Sequence, residues 1–575
     1  MKIKISKILF VLSVCGLLYS CDKFFEVDLK GQMDEDKVVN NEDYLARLWA
    51  GLYWAMEDGF TAVGNGGYAS ACDEADNNQQ SSSVQKFNTG SWNAQSNPDD
   101  RYKTLYMAIR SANDFLRLSD TVNNPQYTFR EYEKGEPEKY ATKVFNWHAY
   151  RLDASFLKAY YHFELWKRYG DIAIADKLLT ESEALALERT PGQEVVEYIV
   201  RALDSLAPMY DALETMKNTQ YTNGKWIDNQ YGRITKGAVL ALKARVLLYA
   251  ASPLNSPSGQ YDVELCDRAA RAAADVINLG LYSTNISYRN MQFDRSSSNP
   301  ENILDNRPNF GNFNHMESWN YPKGGSDQYV TTSVGGNATC PSQNLVDAYE
   351  TVDGSAVDPD DPYANRDPRF YETILCNGDT FNDATVESFV GGLAGINNTN
   401  CTTTGYYLKK FVQDKVQLPQ GVSVPHVWYL FRYGEILLNY AEAMFYAHGA
   451  NAKMGYVTNG GDLSALEAVN QVRARAGVDM PPLASLNETK LRNERRIELA
   501  FEGHRFWDVR RWLIADQEGI MQGAMKGIKI YKDTGNEYSY EPYVFETRTF
   551  MKRMYLHPFP TGEINKGYLI QNPGY

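Results

Sequence analysis

A chain of 575 residues, 43% hydrophobic, 13% aromatic and 23% charged, has a globular composition with apolar material for a large core. Its formal net charge of −14 argues against a nucleic-acid partner, because phosphate binding draws its affinity from clustered Lys and Arg. An acidic surface rich in tyrosine suits a soluble or surface-displayed protein that meets neutral ligands.

The N-terminus reads as an address. MKIKISK supplies three lysines, and Ile8 to Leu18 form an apolar run of 11 residues. Such a run is too short for a bilayer, which needs ~20 residues, but fits the core of an export signal. Leu18, Tyr19, Ser20 and Cys21 then resemble a bacterial lipoprotein cleavage box. Residues 1–20 are therefore expected to be a signal peptide, and Cys21 the lipidated first residue of the mature chain. Its acyl chains anchor through ~0.8 kcal/mol per buried CH₂. No later run spans a membrane, since the best candidate, AVLALKARVLLYAA, is broken by Lys243 and Arg245.

With Cys15 removed and Cys21 acylated, five cysteines remain: Cys72, Cys266, Cys340, Cys376 and Cys401. They contain no C-x-x-C, which disfavours zinc. Export permits a disulfide among Cys340, Cys376 and Cys401, yet the odd number leaves at least one thiol free.

Helical periodicity fills the first block, about residues 42–280. EDYLARLWAGLYWAME opens it, and DDRYKTLYMAIRSANDFLRLSD follows. In NWHAYRLDASFLKAYYHFELWKRYG, Leu152, Phe156, Ala159 or Tyr160, and Phe163 share one face, and His162 reads as a packed core residue. GQEVVEYIVRALDSLAPMY, ITKGAVLALKARVLLYAAS and LCDRAARAAADVINLG complete the block. Ala alternates with large residues, as close helix packing requires. Between the first two helices an amide-rich loop, about residues 60–100, carries Tyr68, Phe87 and Trp92 among Asn, Gln and Asp. Residues 281–430 change character to Asn, Gly, Ser, Thr and Asp with recurrent aromatics, an irregular loop-rich part suited to binding. Residues 431–575 return to helices with FRYGEILLNYAEAMFYAHG and LSALEAVNQVRARAG, then a C-terminal tail. Long helices in successive pairs predict a mostly α scaffold of tetratricopeptide-like pairs carrying a long irregular ligand-binding face, with residues 21–575 as a single unit.

The densest chemistry lies in RNERRIELAFEGHRFWDVRRW, Arg492 to Trp512. Read as one helix, it puts Glu494, Glu498 and Glu502 on one stripe, repulsive unless compensated. Arg495 lies three residues before Glu498, Arg505 three after Glu502, and Arg492 within reach of Glu494, which predicts a structural Arg–Glu helix clamped by aromatics. Catalytic motifs are missing: there is no G-x-S-x-G elbow, no H-E-x-x-H helix and no phosphate loop. A glycosidase needs only two carboxylates ~5–9.5 Å apart, which primary sequence does not reveal.

The same stretch resembles the C-terminal signature of the SusD/RagB family of outer-membrane nutrient-binding lipoproteins. FRYGEILLNYAEA with VNQVRARAG, YETVDG with RDPRF, ALKARVLLYAASP, LKAYYHFELWKRYGDI, the ending HPFPTGEINKGYLIQNPGY and the start CDKFFEVDLKGQ extend the resemblance over nearly the whole mature chain. It implies a non-catalytic protein at the surface of a Gram-negative outer membrane, held by its lipid and seated on a SusC-like TonB-dependent transporter. There it would capture oligosaccharides or polysaccharide for uptake. Peptide capture in the same fold, and glycoside hydrolysis, are the alternatives. The helical half is the expected docking surface for the transporter.

In starch-binding members the contacts come from the loop after the first helix and from the central loops. The positions here that fall in those regions are Asp73, Trp92 and Asn93, then Trp319, Tyr321 and Tyr329. GSWNAQ and ESWNYPKGG each set a Trp before an Asn in a polar loop, which marks Trp92 and Trp319 as candidate sugar platforms. No cofactor is expected. The acidic VDPDDPYANRD, residues 357–367, has several carboxylates that could bind a structural calcium ion, but it matches no calcium loop motif and reads first as a solvated turn.

Overall fold

A computed structural model describes residues 42–64, 66–217, 232–306, 315–330, 339–422 and 424–575. The expected signal peptide and Cys21 lie outside the described residues. Among them are ten helices of eight residues or more: α1 (Glu42–Gly51), α2 (Tyr102–Leu118), α3 (Pro137–Tyr169), α4 (Gly192–Lys217), α5 (Lys236–Ala251), α6 (Val263–Asn278), α7 (Tyr433–His448), α8 (Ala465–Arg473), α9 (Glu488–Glu498) and α10 (His504–Arg511).

From α2 to α8 each helix packs on the next in chain order, including α6 on α7 across the whole of residues 279–432. Local chemistry sets their ends. The Thr235 hydroxyl caps α5 by accepting the Ala238 amide at 3.3 Å, and Asp262 caps α6 through the Leu265 amide at 3.0 Å. Ala269, Ala270 and Ala273 of α6 are fully buried, and side chains this small let α5 and α6 approach closely. Helix α3 starts earlier than its periodicity indicates, at Pro137, whose fixed φ suits a first helical position. It runs ~50 Å and stops at Gly170, φ 74°. His162 is buried in it as expected: its Nδ1–H donates to the Lys158 carbonyl at 2.7 Å, and its Nε2 accepts the Ala175 amide at 3.2 Å. Burial pushes its pKa down to about 4.

Short antiparallel ladders stitch the irregular part to the helices: β1 (Ala75–Asn77), β2 (Asn302–Asn306), β3 (Thr339–Pro341), β4 (Trp428–Arg432), β5 (Gly523–Lys532) and β6 (Tyr538–Arg548). β1 pairs with β3, β2 with β4, and β5 with β6 as a hairpin. β1 is therefore paired with a strand far along the chain.

The Arg492–Trp512 stretch is structural, but not as one helix. α9 ends at Glu498, and Phe501 and Gly503 turn left-handed, φ 64° and 77°, before α10 begins. The glutamate partners also differ from those that spacing suggests. Glu494 and Glu498 meet Arg369 Nη1 at 2.6 and 2.9 Å. Glu498 and Glu301 each accept from Arg432 and Arg475, all four contacts falling between 2.7 and 2.9 Å. Glu502 takes Arg432 Nε at 2.7 Å and Lys410 at 2.6 Å, while Arg473 reaches Glu494 at 2.9 Å and Arg369 is also held by Asp367 at 2.7 Å. The in-helix arginines turn elsewhere. Arg495 pairs with Asp508 at 2.8 Å, Arg505 with Asp73 at 2.8 Å, and Arg492 with Glu488 at 2.5 Å. A helical stripe of carboxylates is thus neutralised from outside, by cations of segments around residues 369, 410, 432 and 473–475, two of which Glu301 shares. Among the described residues the five cysteines are buried and form no disulfide.

Removing one member leaves an opposite charge buried without its partner, which costs ~3–5 kcal/mol. Glu498→Gln is expected to lower the unfolding free energy in urea by that amount, and a loss below ~1 kcal/mol would contradict a structural role. The acid limb follows from the same groups. Burial pushes the Glu498 carboxyl up, but Arg475, Arg432 and Arg369 together outweigh it and hold it at about 2. Burial likewise opposes Arg511 at Glu442, and the result is again about 2. These depressed values contribute stability that is complete above the unfolded glutamate value and lost as pH falls through the folded one. Urea midpoints should therefore drop steeply from about pH 4.5 to about pH 2, and a flat profile there would contradict the assignment.

Candidate functional site

The site grows out of Asp73, two residues before β1. Its carboxylate accepts Arg505 Nε and Nη2 at 2.9 and 2.8 Å and pairs with Arg496 at 2.8 Å. Burial pushes its pKa up, and the two guanidiniums outweigh that and hold it low. Ser342 Oγ donates to the Asp73 carbonyl at 2.6 Å, and Arg548 of β6 donates to the carbonyls of Cys72 and Ala75 at 2.5 and 2.9 Å. Residues 72–75 are clamped from three directions, so the chain that leaves β1 starts from a fixed point. The neighbouring Glu74 has no such pairing, and burial pushes its pKa up to about 8.

Residues 78–81, Asn-Gln-Gln-Ser, form one wall of a cleft. Asn78 Nδ2 donates to the Cys401 carbonyl at 3.1 Å, and Thr403 Oγ1 donates to Asp76 at 2.6 Å, tying this wall to a second one, residues 396–403. The third wall is the β5–β6 hairpin. The Ile528 amide donates to the Thr404 carbonyl at 2.8 Å, and the Tyr543 hydroxyl donates to the Thr403 carbonyl. Two glycines permit this approach. A Cβ at Gly405, φ 93°, would stand 2.4 Å from the Ile528 carbonyl oxygen, and one at Gly527 would stand 2.8 Å from the Thr404 oxygen and 3.0 Å from the Tyr543 ring. The three walls enclose about 700 Å³.

Its chemistry is uniform. Asn78, Gln79, Asn397, Asn398 and Asn400 present amides, Thr402 and Thr403 hydroxyls, and Tyr543 and Phe545 rings. Lys529 is the one ionised side chain in the lining, and neither Asp nor Glu lines it. Each amide both donates and accepts, which suits vicinal hydroxyls, while a ring face suits C–H groups. Two carboxylates facing one bond, as glycoside hydrolysis requires, are not found in this lining. Among the described residues no group of three His, Cys, Asp or Glu is placed to hold a metal ion.

The sequence-marked residues do not converge here. Trp92 is 1% exposed, packed edge-on to Phe87 and His557 at ring distances of 5.0 and 5.2 Å, so it is a core residue and no platform. Asp73 is 1% exposed and spent on Arg496 and Arg505, which makes it a positioning residue rather than a ligand contact. Tyr321 is fully buried: its hydroxyl donates to the Gln413 carbonyl and accepts the Val416 amide at 3.2 Å. Asn93 is exposed, its Oδ1 accepting the Gln95 amide at 2.9 Å in a tight turn. Trp319 is half-buried in a small pocket that Phe60 and Trp428 also line, and Tyr329 is half-buried after a turn at Ser326. None of the six lines the cleft. The run NNQQSSS at residues 77–83 was a visible signal for the first wall, and the alternation of GIKIYK with YSYEPYVF was one for the hairpin.

Residues 296–575 match the family model described as the SusD family. The C-terminal part of the chain therefore carries the sequence pattern of the SusD family. No curated protein matches the sequence. Among solved structures, a SusD-like protein from Bacteroides fragilis NCTC 9343 shares 24% identity over 94% of this chain and 99% of its own, with a TM-score of 0.73. A SusD-like carbohydrate binding protein from the same strain shares 22% identity over 92% and 99%, TM-score 0.69. Surface glycan-binding protein A from Bacteroides uniformis shares 15% over 92% and 99%, TM-score 0.61. At these identities the likeness establishes the fold: the mostly α architecture expected from the helical pattern, SusD-like as the resemblance implies, is the one found.

Within this SusD fold the close approach at Gly527 is testable. Gly527→Ala is expected to cost ~1–3 kcal/mol by overpacking and to open residues 396–405 to limited proteolysis. Unchanged stability and an unchanged digest would show that the hairpin does not hold that wall.

Proposed function

We propose that this chain is a non-catalytic, cell-surface binding lipoprotein of the SusD family that captures oligosaccharides or polysaccharide in the cleft. The observation that carries the reading is the lining: amides, hydroxyls and two rings, with no carboxylate. Two structural neighbours, described as carbohydrate binding and surface glycan-binding, support the ligand class. The proposed attachment is through acylated Cys21 to the outer membrane of a Gram-negative bacterium. Among the described residues no helix is long and apolar enough to cross a membrane. The captured chain would pass to a SusC-like TonB-dependent transporter, with the helical scaffold as the docking side. Asn93, Trp319 and Tyr329, which keep solvent exposure, are proposed as outlying contacts for a ligand longer than the cleft.

The test is a binding screen of residues 22–575 against plant, host and microbial polysaccharides, with a reducing-end assay on the same mixtures. Saturable binding to one glycan class without release of ends is the expected result. Tyr543→Ala should weaken it about tenfold, the worth of one aromatic contact. Release of reducing ends would overturn the non-catalytic reading, and binding to peptides but to no glycan would overturn the ligand class.

A further inference from the structure

The chain as a whole is acidic, with a formal net charge of −14, yet this cleft runs against it. No Asp or Glu lines it, and its single ionised lining group, Lys529, is a cation. Accepting the reading of the cleft as a glycan site, we infer that it selects acidic glycans, chains carrying carboxylate or sulfate groups, over neutral ones.

Lys529 projects from β5 with its ammonium 4.8 Å from the centroid of the Tyr543 ring, so ring and charge present themselves together at one wall. The residue opposite it in the hairpin register is Glu541, the natural cross-strand partner. Even so, among the described residues Lys529 forms no ion pair with it or with any other carboxylate. A second ammonium, Lys323, stands at the rim and donates to the Thr399 carbonyl, between the lining residues Asn398 and Asn400. It too forms no ion pair among the described residues. A carboxylate behind the lining, Asp76, is buried and occupied by Thr403 Oγ1 at 2.6 Å and Gln85 Nε2 at 3.4 Å.

The physical consequence concerns both sign and selectivity. A half-buried ammonium without a counter-ion, in a concave site free of carboxylates, focuses positive potential where the surrounding surface is negative. Amide N–H groups beside it add donors that a carboxylate or sulfate oxygen uses more strongly than a hydroxyl does. A neutral chain would satisfy the amides but leave the ammonium with no partner better than water and the Tyr543 face. An anionic substituent satisfies both. The ring remains available to the adjoining sugar, so recognition pairs one charged contact with one stacked contact.

Matched ligands separate charge from sugar identity. Binding of residues 22–575 would be measured by calorimetry across an array holding each acidic oligosaccharide beside its neutral twin: oligogalacturonide with its methyl ester, and carrageenan oligosaccharide with its desulfated form. At least one acidic member is expected to bind about tenfold tighter than its twin at low salt, with that advantage lost near 1 M salt. The carboxylate and sulfate arms show which anion is preferred. Lys529→Gln should erase the difference between twins while leaving the urea midpoint unchanged, and Lys529→Arg should restore it. Equal binding of acidic and neutral twins, or a preference that survives in Lys529→Gln, overturns the inference but leaves glycan capture standing. Binding to no member of the array or of the wider polysaccharide screen overturns both.

Discussion

Everything in this fold leans on the pairing of buried carboxylates with arginines from distant segments. Glu494, Glu498 and Glu502 could not share one buried stripe on their own, because each uncompensated charge in the interior costs several kcal/mol. They are tolerable only when Arg369, Arg432, Arg473, Arg475 and Lys410 arrive together. Those cations come from the irregular part, from β4 and from the end of α8, so neutralising the stripe fixes how the loop-rich part sits on the helices. Well-packed apolar residues could supply comparable stability. What ionic pairs add is direction, since a planar guanidinium accepts partners in few geometries.

The same arginine-rich stretch reaches the cleft. Arg496 and Arg505, left without glutamate partners, hold Asp73, and Asp73 fixes the chain entering β1. From there the Asn-Gln-Gln-Ser wall is carried to residues 396–403, and these in turn rest on the hairpin through backbone contacts that Gly405 and Gly527 make possible. A scaffold of helices thus ends in three short polar walls placed by charge and by close backbone approach, not by a large apolar core. Polar walls need such external fixing, because amides gain little from burial and would otherwise be held only by their own weak contacts.

The helical framework was legible because amphipathic period and caps are local: every long helix from α1 to α8 falls on a segment marked by its spacing of apolar residues. The break at Gly503 was written in the sequence as well, but the charge pattern across it invited a single helix. Ion-pair partners were not legible, since nearest-neighbour spacing favours Arg495 for Glu498 whereas the true partners, Arg369, Arg432 and Arg475, lie up to 129 residues away. The candidate site was half legible. The amide-rich segment after α1 stands out by composition and supplies one wall of the cleft, yet its most conspicuous residue is a tryptophan outside that wall. A Trp beside Asn in a polar loop carries no information about which way the ring faces, and Trp92 faces inward against Phe87 and His557. Tyr543 and Lys529 were missed because a hairpin near the C-terminus shows its outward face only once its register is known. Carboxylate-free lining is likewise a property of three separate segments and of none alone.

Ligand is expected to bind in the cleft between residues 78–81, residues 396–403 and the β5–β6 hairpin. A crystal structure with an oligosaccharide that the screen identifies tests it most directly. The expected result is sugar density within the cleft, a ring against Tyr543 and substituents within hydrogen-bond distance of Lys529 and Asn398. Density on another face, with this cleft empty, would contradict it.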